Sequence, residues 1–192
     1  MEAALRGLLP NLLGATTFEI YPHQCKEELL TRLPSRLRGY SHFIPSDWRI
    51  LVVLDRDDDD CDELKGRLEQ IAAHANLSTR SSSATSEYVV ANRIAIEELE
   101  AWFFGDWDAA RAVYPKLPAT IPNKAKYRDP DAIAGGTWEA FERVCQQVGY
   151  FRNGLRKIEA ATLIAAQMNP IRNRSRSFQC FRDVIAEMRI PG

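Results

Sequence analysis

One stretch limits what this chain can fold into: Arg49-Ile50-Leu51-Val52-Val53-Leu54-Asp55-Arg56-Asp57-Asp58-Asp59-Asp60-Cys61-Asp62-Glu63. An unbroken aliphatic, β-branched run predicts a strand buried on both faces, as in a parallel sheet. The run stops where the carboxylates begin, so the strand delivers acid groups to one edge of a sheet.

Side chains two apart on a strand share a side, so a strand reaching Asp57 projects Asp55 and Asp57 together. In open α/β sheets, ligands bind outside the carboxyl ends of the strands. Hard carboxylates at that place suit Mg²⁺ or Mn²⁺, which keep several waters for a phosphate-bearing substrate. Asp59 is counted with Asp55 and Asp57 as a metal ligand. A plainer account covers part of the same run, because acids are favoured in the first turn of a helix and Asp58 to Glu63 sit where the next helix starts. It covers Asp55 and Asp57 less well, since like charges at a buried strand end repel unless something cationic lies between them. A calcium loop of the EF-hand type is excluded: Asp60 stands where the turn glycine is needed and Gly66 where the bidentate glutamate is needed.

The rest of the chain arranges itself around that strand. Ala3, Leu5, Leu8, Leu9, Leu12 and Leu13 space an amphipathic helix closed at Gly14. Thr16 to Tyr21 alternates like a strand and stops at Pro22. Lys26 to Leu37 reads as a basic helix interrupted at Pro34, followed by a polar turn from Gly39 to Trp48. After the acids, Leu64, Leu68, Ile71 and Ala72 mark a helix to about Asn76. A polar loop from Ser78 to Ser86 leads to a strand from Tyr88 to Ile94. Strand, helix, strand in this alternation predicts a mostly parallel sheet covered by helices. From Trp107 the pattern is helical, with helices over Asp108–Tyr114, Trp138–Val148 and two more amphipathic stretches, one around Leu155 to Ile164 and one around Phe178 to Met188.

Two further stretches carry chemistry. In Ile94 to Asp106 a strand runs into a helix that opens with acids, and Glu97 and Glu100, three apart, share one face beside Ile96, Leu99 and Phe103. A carboxylate near a core needs a partner, and a metal shared with Asp55 and Asp57 would serve; capping of the helix start is the alternative. In Asn169 to Ser177, Arg172, Arg174 and Arg176 alternate with Asn and Ser near a helix start, a pattern that grips phosphate through guanidinium forks and free backbone N–H groups. Lys157, with Lys124, Lys126, Arg128 and Arg156, can join them. A solvated loop with salt bridges is the competing account.

Composition bounds the class. The chain has 192 residues, 45% hydrophobic and 27% charged, which suits one sizeable core. Its formal net charge is only −1, but from Phe141 to Gly192 there are nine Arg and Lys against four Asp and Glu, while Asp55 to Glu63 holds seven acids and one Arg. An acidic site with a basic arm suits a nucleotide or nucleic-acid partner. Cys25, Cys61, Cys145 and Cys180 form no Cys-x-x-Cys pair, which argues against a zinc knuckle or redox motif. There is no signal-like apolar segment at the start and no apolar run long enough to span a bilayer, so a cytoplasmic protein is expected.

Several words taken together resemble an uncharacterised bacterial family, number 4276 in the domain-of-unknown-function series. They are Leu5-Arg6-Gly7-Leu8-Leu9-Pro10; Leu54-Asp55-Arg56-Asp57 with Cys61 and Leu64-Lys65; Arg93-Ile94-Ala95 with Glu98-Leu99-Glu100-Ala101-Trp102; Gly135-Gly136-Thr137-Trp138-Glu139; and Asn173-Arg174-Ser175-Arg176-Ser177-Phe178. The resemblance implies a Toprim-like fold, the small α/β unit of topoisomerases, primases and nucleases of the overcoming-lysogenization-defect type. In that group a glutamate after the first strand and an Asp-x-Asp after a later strand hold Mg²⁺ for phosphodiester chemistry. Asp55 and Asp57 match the second element; the strand and glutamate of the first would precede the helix that here begins at Met1-Glu2. The resemblance also implies a partner ATPase of the AAA or ABC type in a defence system against phage.

The expectation is therefore an α/β, Toprim-like domain over residues 1–106, with a small, mostly parallel sheet flanked by helices and a helical extension over 107–192 packed on it. Its expected function is that of a Mg²⁺- or Mn²⁺-dependent nuclease or related phosphodiester-processing module. Asp55, Asp57, Glu97 and Glu100 would be catalytic, Asp55, Asp57 and Asp59 metal ligands, and Lys157, Arg172, Arg174 and Arg176 the phosphate grip. A non-catalytic module docking on an ATPase or on a second copy of itself is the alternative. An aspartyl phosphatase, with Asp55 attacking and Asp57 as acid, is the third.

Overall fold

The computed structural model describes residues 1–57, 59–84, 87–95, 99–154 and 156–188. By internal contact the chain divides into two units, Glu19–Ile94 and a second made of Met1–Phe18 together with Ala95–Gly192.

The first unit carries the sheet. Strand β1 (Ile50–Asp55) pairs in parallel with β2 (Val90–Ala95), and an isolated parallel bridge joins Thr79 to Val90. Helix α2 (Lys26–Ser41) precedes β1 and α3 (Cys61–His74) follows it. Along β1, Val52 and Leu54 point to the same side and are buried with Leu30, Leu33 and Leu37 of α2 and Leu64, Leu68 and Ala72 of α3. Leu51, Val53 and Asp55 face the other way and are only half-buried, so the strand is sealed on one face rather than both.

Thr16 to Tyr21 alternates but pairs with no strand among the described residues, and Phe18 and Tyr21 are exposed. Pro34 does not interrupt its helix: α2 runs through it to Ser41, because Leu30, Leu33 and Leu37 lie on one buried stripe that holds both halves in line across the missing N–H.

The second unit is helical around an aromatic core. Helix α1 (Glu2–Leu13) buries Leu5, Leu8, Leu9 and Leu12 and packs against α7 (Lys157–Gln167) and α8 (Arg176–Met188). The approach to α7 is close because Gly7 lies there; a Cβ at that position would stand 3.3 Å from the carbonyl oxygen of Thr162. Short helices α4 (Glu100–Gly105) and α5 (Trp107–Val113) bury Trp102, Phe103, Phe104 and Trp107. Three 3-10 turns lead to α6 (Thr137–Gln147), whose Phe141 meets Phe103 at 5.7 Å between ring centroids. Trp102 packs edge-on to Phe178 at 5.2 Å and lies 5.0 Å from Phe181. Helix α1 thus belongs with the C-terminal helices rather than with the sheet, and the division does not follow a break at residue 106. The reason is its apolar stripe, which finds α7 and α8.

Candidate functional site

Strand β1 ends at Asp55, and the chain turns immediately. Asp57 takes a left-handed backbone conformation, φ 52°, which aspartate tolerates better than most residues. Strand alternation therefore does not carry as far as Asp57. The carboxylates of Asp57 and Asp59 converge on the ammonium of Lys26, with Oδ2 atoms 2.9 and 2.8 Å from Nζ. The same ammonium donates to the carbonyl oxygen of Arg56 at 3.0 Å. Asp55 lies half-buried at the strand end beside this group. Asp58 and Glu97 lie outside the described residues, and Glu100 opens α4 in the other unit.

Lys26 is the first residue of α2, following Cys25, which gives no side-chain cap. A cation there opposes the positive end of the helix dipole, where Glu27 and Glu28 fit better. Only 10% of its side chain is exposed, against 56% for Asp57 and 49% for Asp59. Burial works to lower the Lys26 pKa, but the hydrogen bonds to Asp57 and Asp59 and their charges outweigh it, and the group is held above its ordinary value. The cation between Asp57 and Asp59 is thus a lysine of the same chain. In the sequence Lys26 reads only as the start of a basic helix, and its place at a helix N-terminus is the signal that marks it.

The later acids divide as the helix dipole requires. Asp60 caps α3, accepting from the backbone N–H groups of Asp62 and Glu63, each at 2.9 Å, and Asp62 and Glu63 fill the first turn.

Two carboxylates and a carbonyl converging on one point form a hard oxygen set of the kind Mg²⁺ and Mn²⁺ accept, with water and phosphate completing the shell. In this structure the Lys26 ammonium occupies that point, 2.8 to 3.0 Å from the three oxygens. Among the described residues, no three His, Cys, Asp or Glu side chains are grouped as a ready metal cage.

The basic stretch resolves by alternation in the helical unit. Asn173, Ser175 and Ser177 are buried, while Arg172, Arg174 and Arg176 are exposed. Asn173 donates to the carbonyl of Trp102 at 2.9 Å and accepts from the N–H of Ser175 at 2.9 Å. Asp131 accepts from the hydroxyls of Ser175 and Ser177, both at 2.8 Å, and from the backbone N–H of Arg176 at 2.5 Å, fixing the start of α8. Arg172 is committed elsewhere, to the buried carboxylate of Asp106, and Lys157 lies over the ring of Trp138 at 3.7 Å. Arg174 and Arg176 are therefore displayed on a rigid, hydrogen-bonded scaffold.

Fold and site together define an α/β sheet unit with an acid-tipped strand, joined to a helical unit with a displayed basic stretch. The chain belongs to the family DUF4276, a domain of unknown function, whose profile matches residues 1–189. No curated protein and no solved structure matches it.

Proposed function

We propose that the protein is a divalent-metal-dependent phosphodiester-processing module, a nuclease or close relative, with Asp57 and Asp59 as the principal ligands of Mg²⁺ or Mn²⁺ and Asp55 beside them. The observation that carries this is the convergence of the two carboxylates and the Arg56 carbonyl on a single cation position at the carboxyl end of a parallel strand. When bound, the ion supplies an activated water and neutralises charge developing on phosphate. The chain's own part is to hold the oxygens in place through the turn at Asp57 and the capped start of α3. Arg174 and Arg176, with Lys157, would hold the nucleic-acid backbone. The family resemblance extends the reading to an effector acting beside an AAA or ABC-type ATPase in defence against phage.

Calorimetric titration of Mn²⁺ into the native chain and into an Asp57→Asn, Asp59→Asn double variant tests it. Asparagine is the right replacement because it tolerates the left-handed backbone at Asp57. Binding lost in the variant, with Mg²⁺-dependent cleavage of single- or double-stranded nucleic acid by the native chain, is the expected result. Equal binding or none in either protein removes the proposal.

One observation favours a second reading. Lys26 already neutralises the acids, as in a fold that keeps its shape without metal and serves as a docking module for an ATPase or for a second copy of itself. That reading predicts native stability and partner binding unchanged by chelators.

A further inference from the structure

We infer that Lys26 is a built-in competitor for the metal position, so that a divalent ion binds only as the ammonium is expelled from between Asp57 and Asp59. The inference rests on the metal reading proposed above and assigns a regulating residue to it. Three observations support it. The ammonium sits at the point where the oxygen donors converge, 2.8 to 3.0 Å from each, so it and an ion cannot occupy that point together. Its side chain is about nine-tenths buried while both carboxylates remain about half exposed, so an ion can reach the oxygens from solvent while the ammonium holds the point where they converge. Finally, Lys26 occupies the first position of α2 against the helix dipole, so its release removes an unfavourable placement as well as two ion pairs.

A binding-competent form populated only in part reduces apparent affinity by that fraction. The lysine therefore sets the metal concentration at which the site fills. A nucleic-acid phosphate or a partner's carboxylate that captures the freed ammonium would raise metal affinity, coupling substrate or partner to ion binding.

The experiment has two arms on the full chain. In the first, Mn²⁺ is titrated into the native protein, Lys26→Met, Lys26→Arg and the Asp57→Asn, Asp59→Asn double variant. Lys26→Met should bind about tenfold more tightly or better than native. Lys26→Arg should bind no more tightly than native, and the double variant should not bind. The second arm needs no variant: the native protein is treated with an amine-acylating reagent with and without saturating Mn²⁺, and each lysine is quantified by mass spectrometry. Labelling of Lys26 should rise several-fold with the ion, with Lys124 and Lys126 unchanged as references. Metal binding that depends on Asp57 and Asp59 while Lys26 labelling stays constant overturns the competitor role and leaves the metal site standing. Absence of binding in every protein overturns the metal reading itself and the inference with it.

Discussion

The guanidinium of Arg172 meets the carboxylate of Asp106 edge-on, through Nε at 2.7 Å and Nη2 at 3.1 Å, across a separation of 66 residues. Asp106 has no exposed side-chain surface, whereas 46% of Arg172 remains in contact with water. The carboxylate also accepts from the backbone N–H groups of Asn169 at 2.6 Å and Ala109 at 3.4 Å, so it caps α5 and fastens the loop before α8 at once. The pair is asymmetric: the acid is a hub and the arginine one of its spokes.

Replacing the two partners should consequently cost different amounts. Asp106→Ala strands buried N–H donors and should lower stability by about 3 kcal/mol, in the range for breaking a buried pair. Arg172→Ala leaves the carboxylate with its backbone donors and, being half exposed, should cost about 1 kcal/mol. Urea unfolding at matched slopes measures both; equal losses would contradict the hub arrangement.

Two glycines offer a contrast of opposite sign. A Cβ on Gly105 would fall 2.0 Å from Oδ1 of the buried Asn173 and 2.8 Å from the backbone nitrogen of Ser175, whereas one on Gly66 in α3 meets nothing within 4 Å. Gly105→Ala should destabilise by about 2–3 kcal/mol through overpacking. Gly66→Ala should stabilise by about 0.5–1 kcal/mol by restricting the unfolded chain. Thermal unfolding of the two variants decides the matter.

Display of Arg174 and Arg176 on a rigid base makes their charge separable from the fold. Arg174→Glu with Arg176→Glu should change stability by less than about 0.5 kcal/mol. The same change should weaken nucleic-acid binding and reduce the salt slope of log K by about 2. Fluorescence anisotropy over a range of salt concentrations gives both numbers, and an unaltered slope would remove these arginines from the interface.

Two buried groups set an alkaline limit. Burial, with neighbouring negative charge, pushes the Tyr114 phenol up to about 12 and the Cys145 thiol up to about 12. The folded state thus retains protons that the unfolded chain releases above the ordinary values of about 10 and 8.5. Stability from these groups is fully present below those ordinary values and is lost as pH rises through the folded values. Denaturation midpoints should therefore fall between about pH 9 and 12. Tyr114→Phe should flatten the upper part of the fall. At neutral pH a disulfide-exchange reagent should label the exposed Cys25 and Cys180 in the native protein but reach Cys145 only on unfolding.

Much of the framework could be read from residue order alone. The aliphatic run ending at Asp55, the capped helix after Asp60, and the α1 stripe each follow a local periodicity, and local periodicities survive folding. What escaped was set by distant partners. Thr16 to Tyr21 alternates as well as β2 does, yet strand character depends on a neighbour to pair with, which no short window contains. Pro34 is a breaker by local rule and is overridden by leucines on both sides of it. The Lys26 clamp spans 31 residues to Asp57 and the Arg172 fork spans 66 to Asp106, so neither is visible in any motif. The Arg-x-Arg alternation was visible, but only the buried Asn173 and Ser175 explain why its period is two outside a strand.

The seat of α1 carries a consequence for biosynthesis. Residues Glu19–Ile94 form a continuous unit whose strands and helices lie near one another in sequence, so it can close while the remainder is still being made. Helix α1 is synthesised well before α7 and α8, on which it packs. Its leucine stripe must therefore wait until those two helices are made. A nascent chain of this kind offers chaperones an early apolar handle, and its helical unit closes only when α7 and α8 capture α1.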